Sequence, residues 1–316
     1  MSERISLREA YGQALLELGK ERSDFVVLEG DLSDSTRTVH FANAFPERFF
    51  DCGCAEMNMM DMAAGLAASG VLPIVNTFSV FSTMKACEQV RTFICYPNLN
   101  VKIVSTHAGL DLGEAGVTHQ ATEDVAIMRS FPNMTVISPA DAIETAAALR
   151  VMVQSTGPMY MRLGRSDLPI VNSRDYEFLL SKAVELRAGG DLCIIATGVT
   201  VSAALEAADL LAARGVSAAV INMPTLKPVD KEAILRAARH SAALITVEDH
   251  SIIGGLGSAV LECLAETPLV PVLRLGLPDV FGQSGKPADL FAKYGLDARG
   301  IAQSVDAFLS RAKPAK

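Results

Sequence analysis

Short apolar runs alternate with stretches of helical periodicity along almost the whole chain. The runs are FVVLEG (25–30), PIVNTFS (73–79), NVKIVSTHAG (100–109), TVISPA (135–140) and PMYMRLG (158–164). They continue with LCIIATG (192–198), SAAVINMP (217–224), ALITVED (243–249) and VPVLRLG (270–276). Helical stretches at 7–20, 56–69, 82–95, 141–155, 199–214 and 255–266 fall between them. This rhythm predicts βαβ units: parallel strands joined by right-handed crossovers. Near-continuous Val, Ile and Leu in the runs fit sheets covered on both faces. The rhythm lapses between about 168 and 190, where Pro, Asn-Ser-Arg-Asp and Gly-Gly interrupt any period. The expectation is an α/β chain of two doubly wound domains with mainly parallel sheets, at 1–175 and 188–316.

Composition narrows the function classes. Half of the 316 residues are hydrophobic and a fifth are charged, which a disordered chain would not show. The formal net charge is -8 and no Lys/Arg cluster stands out, so neither a nucleic acid nor an anionic membrane surface is an expected partner. No apolar run reaches membrane-spanning length, and MSERISLREA is charged and lacks the apolar core of a secretory leader. Six scattered cysteines form no CxxC pair and read as small buried hydrophobes in a reducing cytosol. A cytoplasmic protein is therefore expected, with RAKPAK (311–316) as a frayed tail.

Open α/β sheets bind ligands beyond the carboxyl ends of their strands. That directs attention to EGDLSDS, DCGCAE, NTFSVF, STHAGLDLGEAGVTHQ and RLGRSD. Taken alone, the Gly-rich string is only a loop with a histidine. In combination, DCGCAEMNMMDMAAGLAASG, NTFSVFSTMKACEQVR, THAGLDLGEAGVTHQ, SPADAIETAAAL and YMRLGRSDLP resemble, in order, the pyrimidine domain of transketolases. IIATG, MPTLKPVD and VEDHSIIGGLGSAV resemble the family's C-terminal domain. The resemblance covers nearly the whole chain but not a whole transketolase. The family holds the diphosphate and Mg²⁺ of its thiamine cofactor on a further domain, through a Gly-Asp-Gly motif. Here Gly30-Asp31-Leu32 and Gly190-Asp191-Leu192 lack the second glycine. The resemblance thus implies no metal ligand in this chain and a partner subunit carrying the diphosphate-binding domain. It also implies a core dimer of this chain, completed as an α2β2 heterotetramer.

The resemblance also assigns roles. Glu56, by itself an ordinary first-turn acid favoured by the helix dipole, matches the glutamate that hydrogen-bonds N1′ of the aminopyrimidine. There a carboxyl among apolar neighbours can share a proton and promote deprotonation at the thiazolium carbon. Phe78 and Phe81 match aromatics that pack on the pyrimidine ring, and Asp31 matches an acid near the cofactor. His119 matches a contact to the donor's hydroxyls near the reacting carbon, and His107 a contact to its phosphate end. Arg8, Ser35 and Arg165 match the remaining grip on the phosphate, for which guanidinium forks and hydroxyls are suited. Singly, these would read as two core aromatics, two ordinary histidines, surface arginines and a turn serine.

Two positions depart from the family pattern. The acid of a GEDG string is Ala115, and the serine before the phosphate arginine is Gly164. Both point away from the usual pentose phosphates toward a deoxy, branched or otherwise modified sugar phosphate. Glu114 is the nearest acid to the lost one. The Gly-rich turn of VEDHSIIGGLGSAV does not satisfy GxGxxG and reads as packing. The expected reaction is transfer of a two-carbon ketol unit from a ketose phosphate to an aldose. The alternatives are a 2-oxoacid dehydrogenase E1 β-like or deoxyxylulose-phosphate-synthase-like thiamine subunit, or a non-catalytic regulatory homologue.

Overall fold

A computed structural model describes residues 3–267 and 270–312. In the first part of the chain the strands are β1 (Arg4–Ser6), β2 (Phe25–Glu29), β3 (Phe49–Asp51), β4 (Leu72–Phe78), β5 (Lys102–Thr106), β6 (Thr135–Ile137), β7 (Met159–Arg162) and β8 (Asp167–Pro169). The later strands are β9 (Val184–Arg187), β10 (Leu192–Ala196), β11 (Ala218–Asn222), β12 (Thr225–Lys227), β13 (Leu244–Ser251) and β14 (Val272–Leu277). One sheet runs β12-β6-β7-β5-β4-β2-β3 and the other β14-β13-β10-β11-β9, while β1 and β8 form a separate antiparallel pair. All pairings among β2 to β7 are parallel, as are β10 with β11 and β13, and β13 with β14. The antiparallel exceptions in these sheets are β9 on β11 and β12 on β6. A mostly parallel α/β fold is what the alternating pattern demanded.

The central strands are almost wholly buried because both faces are covered. Leu28, Val75, Ile103, Val136 and Tyr160 form one core with Met59, Met60 and Ala63 of the helix Glu56–Ala68. On the opposite face Val27, Ile74, Val104 and Met161 pack with Tyr11 and Leu15 of the helix Leu7–Glu21. That helix begins where Ser6 accepts a hydrogen bond from the Glu9 amide, satisfying a first-turn donor. Asp141 caps the helix Ala142–Gln154 in the same way through the Glu144 amide, at 2.8 Å.

The stretch read as a helix over 82–95 is helical but wound wider. Phe81–Lys85 and Val90–Cys95 are π-helical, with Cys87–Gln89 between them as a short α turn. The Ala86 amide reaches back to the Phe81 carbonyl at 3.1 Å, the five-residue bond that defines this winding. Single π turns recur at functional sites, and this one carries an expected cofactor residue.

The β12 strand lies late in the sequence but hydrogen-bonds along the outer edge of the first sheet, Thr225 opposite Ile137. Around it, Lys227 Nζ donates to the carbonyls of Arg129 and Phe131, and Asn222 donates to both oxygens of the buried Glu144. A second seam joins β7 to β13. Arg162 donates to Asp124 Oδ2 at 2.8 Å and to the Asp249 carbonyl at 3.1 Å, all three residues buried.

The cysteines depart from the reading as buried hydrophobes. All six are free, but only Cys95, Cys193 and Cys263 are buried, and Cys54 is exposed. The reason is that β3 stops at Asp51, which leaves Cys52 and Cys54 on the turn leading to Glu56. Of the tail, residues 311 and 312 end the last helix and 313–316 lie outside the described residues.

Candidate active site

Glu56 is the first residue of its helix and is 3% exposed. The turn before it is shaped by Asp51, whose carboxylate accepts from the Gly53 amide at 2.9 Å and the Asp31 amide at 3.1 Å. Gly53 has φ +71, so the turn needs a residue without a side-chain penalty there. The surroundings of Glu56 are not wholly apolar, contrary to the sequence expectation. Lys85 Nζ lies 2.5 Å from Glu56 Oε2 and also donates to the Cys54 carbonyl at 3.3 Å. Lys85 closes the same π turn that Phe81 opens, and its ammonium sits 5.8 Å from the Phe81 ring centre.

Phe78 ends β4 and Phe81 begins the π turn. Their rings are nearly parallel, 11° apart in plane, with centres at 6.0 Å. His107 follows β5 and packs on Phe78 at 4.0 Å between ring centres, while His119 meets Phe81 edge-on at 5.5 Å. The two aromatics and two histidines therefore form one continuous wall. Its histidines have hydroxyl neighbours: Thr106 Oγ1 at 2.7 Å from His107 Nδ1 and Thr118 Oγ1 at 2.9 Å from His119 Nδ1.

Burial pushes the His107 imidazole down to about 3, helped by the charges of Arg8, Arg165 and His119. His107 is thus neutral at physiological pH and stands among cations. Arg8 donates to the Ser35 carbonyl at 3.0 Å, and burial, then the neighbouring Arg37 and Arg165, lower its own pKa. Its buried Nε has no hydrogen-bond partner among the described residues. A concentration of guanidinium donors around a neutral imidazole is an environment for an anion. Arg165, half-exposed, donates to the Leu112 carbonyl at 3.2 Å and pairs with Glu114 at 3.4 Å. Glu114 therefore answers to Arg165, while Ala115, exposed, ends the short turn Leu110–Ala115. Asp31 is exposed at the end of β2, with its carboxylate 3.8 Å from the Cys54 thiol.

The nine expected site residues thus fall toward the carboxyl-end edge of the first sheet: at strand ends, in the loops and helix starts that follow them, and on the first turn of the Leu7–Glu21 helix. The sequence reading missed Lys85, Arg37, Asp111 and Asp249. Lys85 lies within NTFSVFSTMKACEQVR, but its pairing with Glu56 spans 29 positions and leaves no local signal. The wall fits a flat heteroaromatic ring with a carboxylate beside it. Among the described residues no group of three or more His, Cys, Asp or Glu could hold a metal ion.

The family description "Transketolase, pyrimidine binding domain" matches residues 3–171, and "Transketolase, C-terminal domain" matches residues 181–301. The chain belongs to the transketolase family. It is 47% identical over 302 residues to a transketolase C-terminal section of Methanocaldococcus jannaschii, covering 95% of each chain. It is 42% identical over 298 residues to a 6-deoxy-6-sulfo-D-fructose transketolase subunit of Clostridium sp., covering 94% of this chain and 92% of that one. A solved split-gene transketolase, described as an inactive β4 tetramer, superposes with a TM-score of 0.89 at 48% identity, over 98% of this chain and 99% of that one. As a transketolase-family protein, this chain is part of a thiamine-diphosphate-dependent transferase. No helix among the described residues is long and apolar enough to cross a membrane.

Proposed function

We propose that this chain supplies the pyrimidine-activating side of a transketolase that moves a two-carbon ketol unit from a modified ketose phosphate to an aldose. The observation that carries this reading is the placement of buried Glu56 beside the stacked Phe78–Phe81 pair, with one histidine against each ring. Thiamine diphosphate, when bound, supplies carbanion chemistry at its thiazolium carbon. Glu56 shares a proton with N1′ of the aminopyrimidine, and Lys85 holds its carboxylate until then. Phe78 and Phe81 pack the ring and keep water away. His119 donates to the donor's hydroxyls near the reacting carbon. His107, Arg8, Ser35 and Arg165 receive the anionic end, and Asp31 lies toward the cofactor. The diphosphate and Mg²⁺ belong to an N-terminal partner subunit, two copies of which complete a heterotetramer in the cytoplasm.

Ala115 supports a modified donor, because a methyl group accepts nothing from a sugar hydroxyl. Losing such a contact costs about 1–3 kcal/mol for a donor that carries the hydroxyl and nothing for one that lacks it. The relative that acts on 6-deoxy-6-sulfo-D-fructose is in keeping with this. The test is to mix the chain with its N-terminal partner, thiamine diphosphate and Mg²⁺, and to screen phosphorylated and sulfonated ketoses for ketol transfer. Turnover of at least one such donor is expected, with none by this chain alone. An assembled complex that cleaves no ketose donor would sink the reading.

A further inference from the structure

His107 and Arg165, which on the reading above meet the anionic end of the donor, both depend on irregular backbone. His107 has φ +60 and Gly109 has φ +69. A left-handed non-glycine residue is unfavourable and persists only where its surroundings hold it. The holding group comes from the C-terminal domain. Asp249, 1% exposed on β13, accepts from the Leu110 amide at 2.8 Å and from the Asp111 amide at 3.2 Å. A Cβ on Gly109 would lie 2.1 Å from Asp249 Oδ2, so the carboxylate fills the side that the glycine leaves open.

The next link is Asp111, 2% exposed. Its Oδ2 accepts from the Arg165 amide at 2.5 Å and from the Ser166 amide at 2.9 Å. A Cβ on Gly164 would come within 2.5 Å of that oxygen and of Val199 Cγ1. Gly164 is one of the two departures from the family pattern, and here it has a physical reason: it makes room for the Asp111 carboxylate. The Arg165 guanidinium then lies against the Leu112 carbonyl and Glu114, on the turn whose first two amides Asp249 holds.

We propose that Asp249 and Asp111 are positioning residues for the anionic end of the donor, so that the C-terminal domain sets the substrate grip without touching substrate. Asp249 fixes the loop after His107, and Asp111 fixes the backbone of Arg165. Neither carboxylate meets the reacting carbon, so their loss weakens binding of the anion and leaves the chemical step alone. Gly164 and Asp111 act as a matched pair.

The test uses the assembled enzyme with a phosphorylated ketose and its unphosphorylated counterpart. Asp111→Ala is expected to raise KM for the phosphorylated donor by about tenfold, the scale of one lost hydrogen bond to a charged group. It leaves kcat and the unphosphorylated donor within about twofold. Asp111→Asn, which still offers an acceptor, restores most of the loss, and Gly164→Ala reproduces Asp111→Ala by displacing the carboxylate. Equal losses for both donors, or a loss confined to kcat, overturn the proposal. A readout without turnover separates it from the proposed reaction. In the full chain labelled at histidine, inorganic phosphate is expected to shift the His107 imidazole signals, identified by their absence in His107→Gln. In Asp111→Ala and Asp249→Asn the midpoint moves at least several-fold to higher phosphate. Unchanged midpoints in both variants overturn the proposal even if ketol transfer is found, and moved midpoints support it even if no ketose is cleaved.

Discussion

Glu56 combines burial with a cationic neighbour, Lys85, and that combination defines what replacing it tests. Gln keeps the shape and the hydrogen-bonding capacity of the side chain but cannot share a proton with a ring nitrogen. Glu56→Gln is expected to leave folding and assembly intact and to lower kcat by about 10²–10⁴-fold, the usual worth of a positioned acid–base group. A Gln variant with normal turnover would remove Glu56 from the mechanism. His107 makes a prediction of a different kind. Its folded pKa, about 3, lies below the ordinary value of 6.5 because of burial and then the charges of Arg8, Arg165 and His119. Between those two values the unfolded chain takes up a proton that the folded chain refuses. His107 therefore destabilises progressively as pH falls from 6.5 toward 3, by roughly 2 kcal/mol at pH 5. Urea denaturation of His107→Gln at pH 7 and pH 5 should show a pH-dependent loss smaller by that amount. An identical pH dependence in the two proteins would contradict the burial assigned to this ring.

At the scale of elements, the loop after β5 is the most demanding piece of backbone. Gly109 combines a left-handed φ with an acidic side chain from the other domain at the place a Cβ would occupy. Gly109→Ala should cost about 1–3 kcal/mol in unfolding free energy and weaken the donor grip with it. A variant of wild-type stability would mean that the loop relaxes freely. This loop also marks the limit of what was legible in the sequence. All nine apolar runs contain strands, because short, mainly apolar stretches bounded by turn residues leave few other fates. The strands outside those runs, β1, β3, β8, β9 and β12, are three or four residues long and too short to show a period. The π winding of Phe81–Lys85 escaped for a related reason, since one turn is too short for its period to differ from that of an α-helix. The site residues on strand ends were readable from motifs in order. Lys85, Asp111 and Asp249 were not, because each acts through a partner brought close only by the completed fold.

At the scale of the whole molecule, the two sheets share polar and apolar material. Val136 and Tyr160 belong to the same core as Cys193, Ile195, Met223 and Leu226. The Arg162–Asp124–Asp249 seam and the Glu144–Asn222 contact add buried polar links whose partners cannot separate without leaving unpaired groups in an apolar setting. The chain should therefore unfold in one calorimetric transition, with calorimetric and van't Hoff enthalpies in agreement. Two resolved transitions would show that the domains melt independently.

The crossing strand has an implication for any attempt to divide the chain. Without β12, β6 would become the outer strand of its sheet and present a row of unsatisfied amides and carbonyls along one side. Such a border recruits strands from neighbouring molecules. A fragment that stops at the apparent boundary near residue 175 would keep every expected active-site residue, yet carry an adhesive margin. Recombination between relatives would therefore keep soluble products more readily if the crossover fell after residue 227 than in the irregular stretch where the sequence invites the cut.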